Sequence, residues 1–267
     1  DRSATVLLRK LDFDDIEGVR YLLDRGVDVN HAGYWGKTPL HQVIMRGRDL
    51  PTIQLLVDRG ADVNATRKSD GATPYLLACL YGRDDVAQRL VDNGASARLT
   101  PVESLMAVCG LGLRDEAMAL VQENPQLPDE LTEDQHRVIT LAGRKGNQQA
   151  IDTMLDVGFD IAARDEQGFT ALHWAAWYGH LPCVQRLLER GAPLDIKNNY
   201  GGTVIDSTVW GYANSDGDDR HCREILEQLV AAGANVHDVS PFPSGHGESD
   251  DVLRGHGRHQ PMPLNRS

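Results

Sequence analysis

Seven times along this chain an apolar pair is followed by two mostly polar residues and then a Gly or Asn, and the register holds from one end to the other. The copies run Leu22-Leu23 to Gly26, Leu56-Val57 to Gly60, Leu90-Val91 to Gly94, Leu120-Val121 to Asn124, Met154-Leu155 to Gly158, Leu187-Leu188 to Gly191 and Leu229-Val230 to Gly233. Successive closing residues lie 34, 34, 30, 34, 33 and 42 positions apart. A unit reused at that spacing marks a stacked repeat protein, because one such unit cannot bury its apolar face alone.

The grammar of the unit is legible from both ends. Gly, or Asn in its place, tolerates the left-handed conformation that closes a helix, so each apolar pair belongs to a last helical turn. Roughly twenty residues upstream stand Thr38-Pro39, Thr73-Pro74 and Thr100-Pro101, with Thr170-Ala171 and Thr203-Val204 as variants. A hydroxyl cap followed by a residue suited to the first turn starts another helix there. Between the Gly and the next Thr lie short Gly- and Asp-broken pieces such as Gly60-Ala61-Asp62-Val63-Asn64, which read as a turn or hairpin. Each unit is therefore turn, helix, loop, helix.

Thr38-Pro39-Leu40-His41 and the run from Gly168 to Ala176, Gly-Phe-Thr-Ala-Leu-His-Trp-Ala-Ala, resemble the signature of the ankyrin repeat over residues 4 to 237. The resemblance implies an all-α repeat solenoid: an ankyrin-like stack of about seven helix-loop-helix units joined by β-hairpin or turn loops. The units fall near residues 1–31, 32–65, 66–97, 98–127, 128–163, 164–197 and 198–237. It also implies that His41 and His173 are structural, tying neighbouring turns together. Departures are local. Glu103 and Asp206 stand where the family prefers His, Arg137 where Thr is expected, and about ten extra residues, Tyr212 to His221, form an expected surface loop. Residues 238–267 hold few large apolar side chains and are expected to form a mobile tail.

The formal charge of −12 opposes general binding to nucleic-acid phosphates. Cys79, Cys109, Cys183 and Cys222 lack the paired spacing of a zinc or redox site, which fits a reducing, cytoplasmic setting. No run of about 18 apolar residues suggests a membrane span. Catalytic and metal constellations are equally thin. His221-Cys222 are only sequence neighbours, whereas Cys–His catalysis needs spatial pairing and a third, orienting group. The acidic loop around Gly217 fails as a calcium site, since its first and twelfth positions would be Tyr212 and Arg223. Neither a cofactor nor a metal is expected, and the segment is not expected to be an enzyme.

Aligning the units on the start of the first helix isolates positions four, seven and eight residues past the Thr, which in ankyrin proteins line the concave face. They include Gln42, Met45 and Arg46; Leu77, Leu80 and Tyr81; Ala107; Leu141, Arg144 and Lys145; Trp174, Trp177 and Tyr178; and Ser207, Trp210 and Gly211. Trp174, Trp177, Tyr178 and Trp210 are the first expected binding cluster, because aromatic groups are the usual anchors of hot spots. Tyr34 and Trp35 add a hairpin tip. Arg46, Arg67, Lys68, Arg144 and Lys145, with Lys37 and Arg98, suggest a locally basic groove on an acidic chain. The expected function is protein–protein interaction, as scaffold, adaptor or inhibitor, through the concave face and hairpin tips. The expected partner is a protein segment carrying carboxylates beside an apolar anchor, bound by a chain monomeric by itself. The alternative is the recognition portion of a larger enzyme whose chemistry lies outside this segment.

Overall fold

The computed structural model describes residues 2–33, 36–214, 221–239, 244 and 247–257. Tyr34, Trp35 and most of the acidic loop, residues 215–220, lie outside them. All regular structure among the described residues is helical, and the fold is an all-α ankyrin-type repeat solenoid. Among the described residues the tips are tight turns without a strand ladder, several closed by a short backbone bond such as Arg67 N donating to Ala72 O at 3.1 Å.

Contacts gather the chain into two units, Asp1–Leu111 and Gly112–Ser267. In the first, α1 (Arg2–Asp12) packs on α2 (Ile16–Asp24) and on α3 (Pro39–Met45). Helix α3 in turn meets α4 (Leu50–Asp58) and α5 (Pro74–Leu80), and α5 meets α6 (Asp84–Asp92) and α7 (Pro101–Leu111). Leu40, Ile44, Ile53, Leu56, Leu77 and Leu90 are sealed between these pairs. At about 1.5–3 kcal/mol per buried aliphatic side chain, this shared burial is what holds each short helix.

In the second unit, α8 (Arg114–Glu123) is followed by a 3-10 turn at Leu127–Glu130 and a short α9 (Glu133–His136). One row is formed by α10 (Val138–Lys145), α12 (Ala171–Trp177) and α14 (Val204–Ala213). The other is formed by α8, α11 (Gln148–Asp156), α13 (Leu181–Glu189) and α15 (Cys222–Ala231). Glycine lets the first row approach closely: a β-carbon at Gly143 would strike the Ala171 backbone, and one at Gly211 the Trp177 backbone.

Helix starts follow the sequence. Thr38, Thr73 and Thr170 side chains accept from the amides of His41, Leu76 and His173. Glu103 and Asp206 keep the reciprocal bond despite replacing His: the Thr100 amide donates to Glu103 Oε2 at 2.8 Å and the Thr203 amide to Asp206 Oδ2 at 3.2 Å. At Arg137 the missing Thr is replaced from upstream. Thr132 and Gln135 cap α9, which leads directly into α10.

Helix ends follow it with one exception. Gly26, Gly60, Gly94, Gly158, Gly191 and Gly233 have φ between 75° and 104°. Asn124, expected to be left-handed, has φ −133° because Pro125 follows it and clashes with compact conformations of the preceding residue. The expected mobile tail is also corrected in part. Residues 247–255 form a helix, α16 (Gly247–Gly255), packed on α15 with Val252 and Leu253 buried. Two adjacent apolar residues suffice there because a neighbouring helix supplies the opposing surface. The expected long loop at Tyr212 is shorter on its leading side, since α14 runs on to Ala213.

Candidate functional site

The aromatic cluster of the second unit is assembled by two adjacent turns and the helices they launch. Asp165 organises the first turn: its Oδ1 accepts from the Gln167 and Phe169 amides at 2.9 Å each, and Gly168 adopts φ 81°. The other carboxylate oxygen accepts from Trp174 Nε1 at 2.7 Å. A single aspartate thus fixes both the turn and the first indole. In the next turn Asn198 Oδ1 accepts from the Tyr200 and Gly202 amides at 2.9 and 3.0 Å. The turns are clipped together by Asn199 Nδ2 donating to Glu166 O at 3.0 Å and the Asn199 amide to Gln167 O at 2.9 Å.

Buried Phe169 is the hub of the rings. Trp174 stacks on it at 4.5 Å, Trp177 meets it edge-on at 5.9 Å and Tyr200 lies 6.2 Å away. Trp177 stacks with Trp210 at 5.6 Å, and Trp174 with Tyr178 at 5.8 Å. The Arg144 guanidinium covers the same surface, 5.1 Å from the Trp174 ring centre and 5.9 Å from that of Tyr178. Two rings stand well out into solvent: Tyr200 is 77% exposed and Trp210 54%. Between them opens a cleft of about 630 Å³ lined by Gln167, Phe169, Trp174, Trp177, Asn198, Tyr200, Gly201, Gly202, Asp206, Ser207 and Trp210. Ser207 is 2% exposed, and its hydroxyl has no hydrogen-bond partner.

Arg144, Trp174, Trp177, Tyr178 and Trp210 are therefore brought together, with exposed Lys145 beside Arg144 on α10. The expectation that the aligned helix positions line an open face needs correction. Gln42, Leu77, Leu80, Ala107, Ser207 and Gly211 are buried, because first helices that approach this closely seal the positions between them. The basic groove of the first unit is also narrower than its sequence. Arg46 is paired with Asp12 at 2.7 Å and Arg67 with Asp70, whereas Lys68 is exposed and Tyr81 half-buried. Burial, and then the nearby positive charge of Arg46, holds the Lys37 amine below its ordinary pKa.

Sequence reasoning missed Tyr200 and did not read Phe169 as part of the site. The signal was available in part, since Tyr200 stands three residues before Thr203 as Trp35 does before Thr38. What it lacked was knowledge that the Tyr200 ring reaches the Phe169 ring of the neighbouring turn.

The helix pairs, Thr-capped first helices and glycine-closed turns are those of ankyrin repeats. A family model for ankyrin repeats (3 copies) matches residues 8–100 and 105–198, and the chain belongs to the ankyrin repeat family. It is similar to Neurogenic locus notch homolog protein 1 of Homo sapiens, 27% identical over 198 residues that cover 67% of this chain and 8% of that protein. It is likewise similar to Ankyrin repeat domain-containing protein SAT10 of Stachybotrys chartarum, 29% identical over 180 residues, 61% of this chain and 9% of that one. SH3 and multiple ankyrin repeat domains protein 2 of Homo sapiens is 29% identical over 207 residues, 73% of this chain and 11% of that protein. The chain thus spans about a tenth of the length of these relatives. Ankyrin repeats are generally protein–protein interaction modules. No helix among the described residues is long and apolar enough to cross a membrane.

Proposed function

We propose that this chain is a non-catalytic recognition module, a scaffold, adaptor or inhibitor, that grips a segment of a partner protein in the cleft between Trp177, Tyr200 and Trp210. The observation that carries the reading is the exposure of Trp210 and Tyr200 at the mouth of a cleft whose floor is preassembled. Large rings left wet are unfavourable in the free protein and become anchors once a partner covers them. The rings are held by Asp165 and by one another before any partner arrives, so little ordering entropy opposes binding. Exposed Arg144 and Lys145, on the same unit as the cleft, support an acidic stretch in the partner, outside the cleft. Four free, buried cysteines support a reducing, cytoplasmic setting.

The test compares proteins retained from the native cell by the wild type, by Trp210→Glu and by the double variant Trp177→Ala, Trp210→Ala. Circular dichroism and thermal unfolding report whether each variant is folded. A hot-spot role predicts that a partner is lost from both, with at least about 30-fold weaker binding when its affinity is measured directly. An identical set of retained proteins from folded Trp210→Glu sinks the reading.

A further inference from the structure

The cleft has a charge preference of its own, opposite to that of the exposed cations elsewhere. No Lys or Arg lines it, whereas Asp206 does, and exposed Glu166 stands on the turn forming one edge, where Arg164 is engaged with the Gly168 and Lys197 carbonyls and Asp165 with the turn amides and Trp174. Its walls are ring faces, and a π face attracts a cation over its centre. Neighbouring rings already show the interaction inside the molecule: the Arg144 guanidinium lies over Trp174, which also lines the cleft, and over Tyr178, which does not. Arg144 is absent from the cleft lining, where Trp177, Trp210 and Tyr200 still offer ring surface. Ser207 supplies a buried hydroxyl, without a partner in the free protein, on the helix that also carries Asp206 and Trp210.

We propose that the cleft receives the arginine side chain of an extended segment of the partner, its guanidinium lying against Trp177 and Trp210 beside Asp206. This rests on the recognition reading above and specifies what the cleft recognises. Guanidinium suits the site better than a compact ammonium because it is planar, weakly hydrated and stacks on aromatic faces while its edge stays free to donate to a carboxylate. An apolar side chain would satisfy the rings but give the Ser207 hydroxyl no hydrogen bond and the Asp206 carboxylate, which already caps α14 through Thr203, no opposite charge from the partner.

The indole N–H resonances of the intact chain, assigned with Trp177→Phe and Trp210→Phe, are followed by NMR during titration with a short Gly/Ser peptide bearing one central arginine. Matched peptides carry citrulline, which keeps the shape without the charge, or norleucine. The expected result is a saturable shift of the Trp177 and Trp210 resonances by the arginine peptide. Citrulline and norleucine should bind at least about tenfold more weakly, as should the arginine peptide to folded Trp210→Ala. Equal binding of citrulline or norleucine, or no saturable shift, overturns the proposal. If it is overturned while Trp210→Glu still loses its protein partner, the recognition reading survives without the arginine; if partner retention is also unaffected, both fall.

Discussion

His41 and His173 show how one residue type can serve a repeat by staying neutral. Each ring nitrogen Nδ1 sits 2.8 Å from the hydroxyl of the capping Thr, and His41 Nε2 reaches Ala72 O at 3.2 Å in the next turn. His173 Nε2 has no hydrogen-bond partner of good geometry, although the backbone of Ile196 and Gly202 lies near enough to favour its proton. Burial dominates in both and pushes each pKa down to about 4. The unfolded chain titrates near 6.5, so between about 6.5 and 4 it binds more protons than the native state. The stability these residues contribute is present above about 6.5 and lost as pH falls toward about 4, by about 3 kcal/mol for each. Urea midpoints at pH 7 and pH 4.5 should differ markedly in the wild type and by less in His173→Gln; equal differences would remove this account. Asn30 and Asn64 act similarly at the turns. Asn30 accepts from the Asp62 amide at 2.7 Å and donates to Gly60 O at 2.9 Å, and Asn64 repeats the pattern with Ser96 and Gly94. That role spans two successive turns and is not visible in either turn's residues alone.

Among the elements, the first helices were largely legible because their determinants are local: a Thr cap, Pro or Ala next, and a left-handed Gly at the end of the unit. Asn124 departed because its neighbour, Pro125, outweighed its own preference. Helix α16 was not legible, since Val252 and Leu253 make a short apolar patch whose value depends on α15 being beside it. Leu253 is fully buried, so Leu253→Ala should cost about 2–4 kcal/mol if α16 is an integral part of the last helix layer. Chemical denaturation measures it, and a change within about 0.5 kcal/mol would show that α16 adds nothing to the fold. The aromatic site was half legible. Trp174, Trp177, Tyr178 and Trp210 share a helical register, but Phe169 and Tyr200 enter from turns, and no periodicity links a turn to the neighbouring helix.

At the scale of the molecule, the stack is stitched on its outer row by ion pairs between side chains about one repeat apart. Arg59 reaches Asp24 at 2.9 Å in the first unit; in the second, Asp156 accepts from both Arg114, at 2.6 Å, and Arg190, at 2.8 Å. Arg114, assisted by Arg190, holds the Asp156 carboxyl below its ordinary pKa. Single surface pairs contribute little, but one carboxylate serving two guanidiniums links three helices. Asp156→Asn is expected to cost about 1 kcal/mol at low salt and less at high salt, read as the shift in urea midpoint at each ionic strength. A salt-independent loss would point to packing instead. The sequence by itself determined the repeat, its length, the helix pairs and the family, because caps, glycines and apolar spacing act within a few residues of where they stand. Only the tertiary structure decided which aligned side chains are sealed, which arginines are already neutralised and which rings border the cleft, because those outcomes depend on how closely one repeat approaches the next.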